Sequence, residues 1–236
     1  VNLSSLGFLK SLRKDSQQFA VIGLGRFGRS VCSTLHKSGY QVLATDINEK
    51  LVADALTEKI VGHASQLDST ESAALKEAGI FEFDTVIVAI GNYIQESIIT
   101  TLNVKEVNVK EGGVPYVVAK ASSEVHYKLL QRVGADRVVF PEYEAGCALA
   151  RSLTKPSILE RFDLDPEHSI VELIVPEEFH GKTIAELQLR NRYGLNLLAV
   201  SHGGKFQINP DPNQYLERGS AIVVIGCNKD INRLPI

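Results

Sequence analysis

The sequence predicts an α/β protein, a doubly wound parallel Rossmann-type sheet followed by a second, smaller α+β domain. Three observations carry that prediction. Over the first two thirds, short β-branched runs alternate with stretches of helical spacing, as crossover helices between parallel strands require. Several of these runs, FAVIG and TVIVA among them, are apolar throughout, which suits strands covered on both faces. From Ser169 onward the chain instead turns strand-rich, with SIVELIV, LNLLAV and AIVVIG separated by turn residues.

Element by element, the strand candidates are Phe19–Gly23, Val42–Asp46, Ile60–Gly62, Thr85–Ala89, Tyr116–Lys120 and Arg137–Phe140. Helical spacing runs from Phe27 to Lys37 before Gly39, from Glu71 to Glu77 before Gly79, from about Ile94, and from Glu124 to Val133 before Gly134. Glycine at those points suits a helix C-terminus. The tandem repeat NVKEVNVKE at Asn103–Glu111 prolongs a surface connection. After Pro141 an amphipathic helix is expected over Glu142–Leu153, then a break at Pro156 and a second short helix over Ser157–Phe162. The last stretch carries a capped helix near Thr183, a tight turn at His202–Lys205 and a closing strand. The expected division is a tail at 1–15, a Rossmann domain at 16–141, a helical connector at 142–162 and a small lobe at 163–236.

Composition bounds the function classes. Hydrophobic residues make up 44% of the 236 residues and charged residues 22%, the balance of an ordinary globular protein. A formal net charge of −3 gives no general attraction to nucleic acid. No apolar run approaches the roughly 20 residues of a membrane span. The opening VNLSSLGFLKSLRKDSQQ lacks a signal-peptide pattern; Phe8 and Leu9 beside Lys10, Arg13 and Lys14 make either a short basic amphipathic segment or a frayed end. Cys32, Cys147 and Cys227 are far apart, without metal-ligand spacing, and read as buried, reduced thiols of a cytosolic protein.

Chemistry concentrates after the first strand. Gly23-Leu24-Gly25-Arg26-Phe27-Gly28 is a GxGxxG that follows an apolar strand and opens a helix, and the next strand ends in Asp46, 18 residues past Gly28. That context makes it a dinucleotide-type fingerprint. Gly23 turns the chain, Gly25 lets a pyrophosphate approach the backbone, and Gly28 lets helix and sheet pack closely. The helix start offers N–H groups and a positive dipole end to phosphate. Asp46 can accept from both ribose hydroxyls, and its charge repels a 2′-phosphate, which argues against NADP. Ile47 lies beside it, and Asn48 is placed to share the ribose. Asp68 either approaches the base or caps the helix after it. Ile90, Gly91 and Asn92 end the fourth strand at the usual crevice of such sheets. Lys120 ends the fifth strand and either reaches phosphate or is solvated; Arg26 either clasps phosphate or is an exposed loop arginine.

Other signatures are missing from the sequence. It contains neither GxxxxGK[ST] nor GxSxG, the marks of P-loop and α/β-hydrolase sites. His36, His63, His126, His168, His180 and His202 are scattered, mostly on expected surfaces. A dinucleotide-type domain by itself does not imply hydride transfer.

The strings QFAVIGLGRFG, VLATDIN, DTVIVAIG, VVAKA and GADRVVFPE, in that order, closely resemble the RCK (KTN) domains of cytosolic regulatory subunits in bacterial Ktr/Trk potassium uptake systems. SIVELIVPEEFHGKTIAELQLRNRYGLNLLAV resembles their C-terminal lobe. The resemblance implies a non-enzymatic, cytoplasmic subunit that forms dimers and then an octameric ring beneath a membrane potassium-translocating partner. It implies ATP, ADP or NAD(H) in the crevice, with Asp46 and Asn48 on ribose, the glycine loop on phosphates and Arg26 on the terminal phosphate. Glu142 matches an acid that holds a divalent or monovalent cation, and it is equally readable as a helix N-terminal carboxylate. Trk-type subunits carry two such units in tandem and this sequence one, which favours the Ktr type and ATP/ADP over NAD(H). Two further readings stand beside it: an NAD-dependent oxidoreductase, and a nucleotide sensor acting on a soluble partner.

Overall fold

The computed structural model describes residues 17–107 and 113–235. The tail at 1–15 with its basic apolar segment, and the second NVKE copy at Asn108–Glu111, lie outside the described residues. The chain divides into two compact units between Glu144 and Ala145.

In the first unit, β1 (Gln18–Ile22), β2 (Gln41–Asp46), β3 (His63–Gln66), β4 (Thr85–Val88), β5 (Tyr116–Lys120) and β6 (Arg137–Val139) form one sheet in the order β3-β2-β1-β4-β5-β6. Every pairing is parallel. The crossovers are helices α1 (Arg26–Lys37), α2 (Glu49–Thr57), α3 (Ser72–Glu77), α4 (Ile94–Glu106) and α5 (Glu124–Arg132). Alternate residues of β1 feed opposite layers: Ala20 and Ile22 pack with Leu75, Val104 and Leu130, and Val21 packs with Cys32, Val52 and Ala55. This is why FAVI and TVIV are apolar throughout, since neither face meets water. The winding direction reverses between β1 and β4, so the loops leaving their C-terminal ends part and open a crevice there.

The second unit holds β7 (Ile158–Asp163), β8 (His168–Ile174), β9 (Asn196–His202), β10 (Lys205–Ile208) and β11 (Ala221–Cys227), an antiparallel sheet in the order β10-β9-β11-β8-β7. Helix α6 (Pro141–Thr154) carries the chain across the division, and α7 (Ile184–Leu187), α8 (Leu189–Tyr193) and α9 (Asn228–Ile231) are short. Thr183 and Glu186 close a reciprocal capping box at α7. Val171, Leu173, Phe179, Leu195, Ile222 and Val224 make the core of this unit.

Several expectations are corrected. Ile60–Gly62 is not a strand; Ile60 N closes the end of α2 on Ala55 O, and Val61 is buried in the core layer under α2. The strand is His63–Gln66, an edge strand that pairs with β2 alone and needs no apolar run. Ser157–Phe162 is not a second helix but lies in and just before β7, which satisfies its backbone against β8; Pro156 disfavours helix at Lys155, and α6 stops at Thr154. Helix α2, capped by Asn48, was not assigned from the sequence. The first NVKE copy, Asn103–Glu106, is no surface connection but the last turn of α4, with Val104 fully buried. Among the cysteines only Cys32 is buried, its thiol pushed up to about 12 by desolvation, while Cys147 and Cys227 are half-buried.

His126 is also not a surface residue. In the first turn of α5 it is fully buried, its Nδ1 3.3 Å from Ser122 N and 3.2 Å from Ser122 Oγ, and its Nε2 meets no partner. Burial pushes its pKa below 6.5. The folded chain therefore keeps it neutral while the unfolded chain, titrating near 6.5, takes a proton first. Stability present above about pH 6.5 should fall as pH drops toward the folded value, by at most about 1.4 kcal/mol per pH unit for one proton. Urea denaturation from pH 7.5 to 5.5 should show a shallower pH slope for His126→Asn than for the parent; identical slopes would clear His126 of the effect.

Candidate functional site

The crevice between β1 and β4 is floored by the glycine loop. Gly23 leaves β1 with φ 103° and donates its N–H to Thr45 O at 2.7 Å, a turn that L side chains resist. A Cβ on Gly28 would lie 1.9 Å from Gly23 O and 3.2 Å from Ala89 Cβ. Only glycine lets α1 start this close to the strand. At Gly25, by contrast, a Cβ would meet nothing within 4 Å, so this side of the loop is open. The first internal bond of α1 runs from Arg29 N to Gly25 O at 2.9 Å, so the N–H groups of Arg26, Phe27 and Gly28 have no helical acceptor. Open space lined by such amides at the positive end of a 12-residue helix is a fitting cradle for phosphate.

Toward β2, Asp46 is half-buried. Its Oδ2 accepts from Leu24 N at 2.6 Å and its Oδ1 from Asn48 N at 2.8 Å, so the acid ties the glycine loop to the end of β2. Each carboxylate oxygen keeps a second lone-pair site for a hydroxyl. Ile47 is 64% exposed, an apolar side chain left in water beside the acid. Asn48 Oδ1 caps α2 by accepting from Lys50 N at 3.0 Å. Asp68 Oδ1 accepts from both Thr70 N and Thr70 Oγ1, so its carboxylate serves the turn after β3; it does not cap α3, whose N-cap is Glu71.

The opposite end of the crevice is cationic. Lys120 Nζ lies 2.7 Å from Glu142 Oε1 and 5.8 Å from the centroid of the Phe27 ring. The hydrogen bond from Lys120 holds the Glu142 carboxyl below its ordinary range, and the charges of Lys120 and Arg26 add to it. Arg26 opens α1 and is exposed. Ile90 and Gly91 continue from β4 between the two ends, Gly91 beside the Lys120 ammonium. The sheet order separates Asp68, after β3, from Lys120, at the end of β5, by four strand spacings, about 19 Å. The expected residues thus form two clusters, one around Asp46 and one around Lys120. The Lys120–Glu142 pair was missed; its signal was a lysine ending β5 and an acid just past β6, the neighbouring parallel strand.

A parallel sheet wound outward from β1 and β4, with a glycine loop between them and an α+β lobe following, defines a Rossmann-type protein with an appended small lobe. The chain belongs to the TrkA-N/TrkA-C family: the TrkA-N domain matches residues 19–141 and the TrkA-C domain residues 170–234. It is 41% identical over 224 residues to the Ktr system potassium uptake protein A of Bacillus subtilis (strain 168), covering 94% of this chain and 96% of that one. It is 39% identical over 217 residues to the Ktr system potassium uptake protein C of the same organism, covering 92% and 95%. The solved GsuK channel bound to NAD covers 97% of this chain at TM-score 0.64 and 18% identity, a likeness of fold, and this chain spans 42% of that channel chain.

The two glycines should respond differently to alanine. Gly28→Ala must move backbone against backbone and should lower the unfolding free energy by more than about 3 kcal/mol. Gly25→Ala, in extended backbone with open space, should stay within about 1 kcal/mol of the parent. Chemical denaturation of both variants checks this, and equal losses would refute the assignment of Gly25 to an open cradle.

Proposed function

We propose that this chain is the nucleotide-sensing regulatory subunit of a potassium uptake system and not an enzyme. Near full-length identity of 41% to a potassium uptake protein, across both units, carries the reading. Among the described residues no helix is long and apolar enough to cross a membrane, so on this reading potassium passes through a separate membrane subunit. The chain works in the cytoplasm at the inner face of the cell membrane, as dimers assembled into an octameric ring that gates that partner.

Its ligand on this reading is ATP or ADP, with NAD(H) as the alternative, since the crevice suits any adenosine 5′-pyrophosphate. Asp46 accepts from the ribose with Ile47 alongside the adenosine, the amides of Arg26, Phe27 and Gly28 receive phosphate, and Arg26 meets the terminal phosphate. Glu142 serves a divalent or monovalent cation. Among the described residues no three His, Cys, Asp or Glu side chains converge on a metal position, so Glu142 would be one ligand of such a cation and not a complete site.

Two measurements test this. Asp46→Ala removes a charged acceptor and should weaken adenine-nucleotide binding about 10- to 100-fold; unchanged affinity by calorimetry in a folded variant would remove Asp46 from the ribose. Gating requires unequal affinity for two shapes, and ATP differs from ADP by one phosphate. Arg26→Ala should therefore abolish most of the ATP-versus-ADP difference in small-angle scattering of the assembly while ADP still binds. A parent-like shape change in the variant, or a stable monomer in the parent, would count against the ring sensor.

A further inference from the structure

Lys120 is enclosed on three sides, each by a different element. Its side chain is 11% exposed, against 65% for Glu142. An ideal Cβ at Gly91, just past β4, would lie 2.9 Å from its Nζ and 3.4 Å from its Cε, so any side chain there would press on the far end of Lys120. Phe27, in the first turn of α1, presents its ring 5.8 Å away, and Glu142, in the first turn of α6, accepts one of its protons at 2.7 Å. An ammonium has three protons to donate. A largely covered cation gains from every anion within reach, whereas an exposed carboxylate such as Glu142 loses little on returning to water. Lys120 is thus held in place by packing and tethered only lightly by charge, next to the helix whose free amides face the open side of Gly25.

Building on the nucleotide reading above, we propose that Lys120 is a shared counter-ion: Glu142 holds its ammonium in the nucleotide-free chain, nucleotide phosphate takes it over on binding, and Glu142 is released. Gly91 is the positioning residue that leaves the ammonium room to serve both. Glu142 sits three residues before the division between the units and in the helix that crosses it. The exchange therefore alters the charge partner of a first-turn carboxylate in the connecting helix without any covalent bond being made or broken. It also orders events: Glu142 becomes available to a cation only after Lys120 has turned to phosphate.

The test is a double-mutant cycle read by ADP affinity, in EDTA so that no divalent cation bridges Glu142 to phosphate. Glu142→Gln should tighten ADP binding about 3-fold, the scale of a single exposed ion pair, because the competing acceptor is gone. Lys120→Met should weaken binding about 10-fold, the loss of one charged hydrogen bond. In the Lys120→Met background the Glu142→Gln gain should vanish. Equal tightening in both backgrounds would mean that Glu142 acts only as a distant negative charge, and no tightening in either would mean that it does not compete; both overturn the proposal. Gly91→Ala gives an independent reading: it should weaken ADP binding by displacing the ammonium, and parent-like affinity would overturn the role of Gly91. If the parent itself binds no ADP, ATP or NADH, the nucleotide reading fails; if it binds and the cycle shows no coupling, only the shared counter-ion fails.

Discussion

The approach of α1 to the end of β1 is the constraint on which the rest of the site depends. Because position 28 has no side chain, the helix can begin against the carbonyl of Gly23, a gap that a Cβ would close to 1.9 Å. That approach sets the amides of the first turn along the crevice and brings Leu24 N to Asp46. It also places Phe27 beside the Lys120 ammonium. A longer gap would leave the same residues in the sequence and take away their convergence.

Asp46 ties two segments of the fold together and, on the nucleotide reading proposed above, serves recognition as well. Two backbone amides already hold its carboxylate in a fixed direction, so a ligand hydroxyl would meet a preorganised acceptor, and little side-chain freedom remains to be lost on binding. The same logic sets the two ends of the crevice apart. The chain as a whole carries a formal charge of −3, yet Arg26 and Lys120 concentrate positive charge at one end, where the Lys120 hydrogen bond first, and then both charges, lower the Glu142 carboxyl. A site acidic at one end and basic at the other has the polarity of a nucleotide laid from ribose to phosphate.

The family relationship spans both units, and the division between them falls inside α6. The role proposed above needs a segment through which a change at the ligand can leave the first unit, and one continuous helix is a direct connection of that kind. Glu142 in its first turn ties that helix to Lys120 in the sheet.

Much of the fold was legible in order: the apolar runs of β1 and β4, the GxGxxG between strand and helix, and the acid ending β2 are local patterns, and local patterns follow from backbone sterics and burial. The misread segments were those whose neighbours decide. Ile60 and Val61 look like a strand because they are apolar, yet they pack against α2, while the polar HASQ pairs as an edge. Ser157–Phe162 has helical spacing, but β8 offers its backbone a partner. Asn48 reads from the sequence as a ribose ligand, and only the folded chain shows that its side chain caps α2. The sequence by itself determined the Rossmann class, the glycine loop and the acid at Asp46, because each rests on residues close together in the chain. Only the tertiary structure decided that His126 is buried and that Lys120 and Glu142, 22 residues apart, meet beside Gly91, because strand order and helix packing bring together side chains that no local spacing connects.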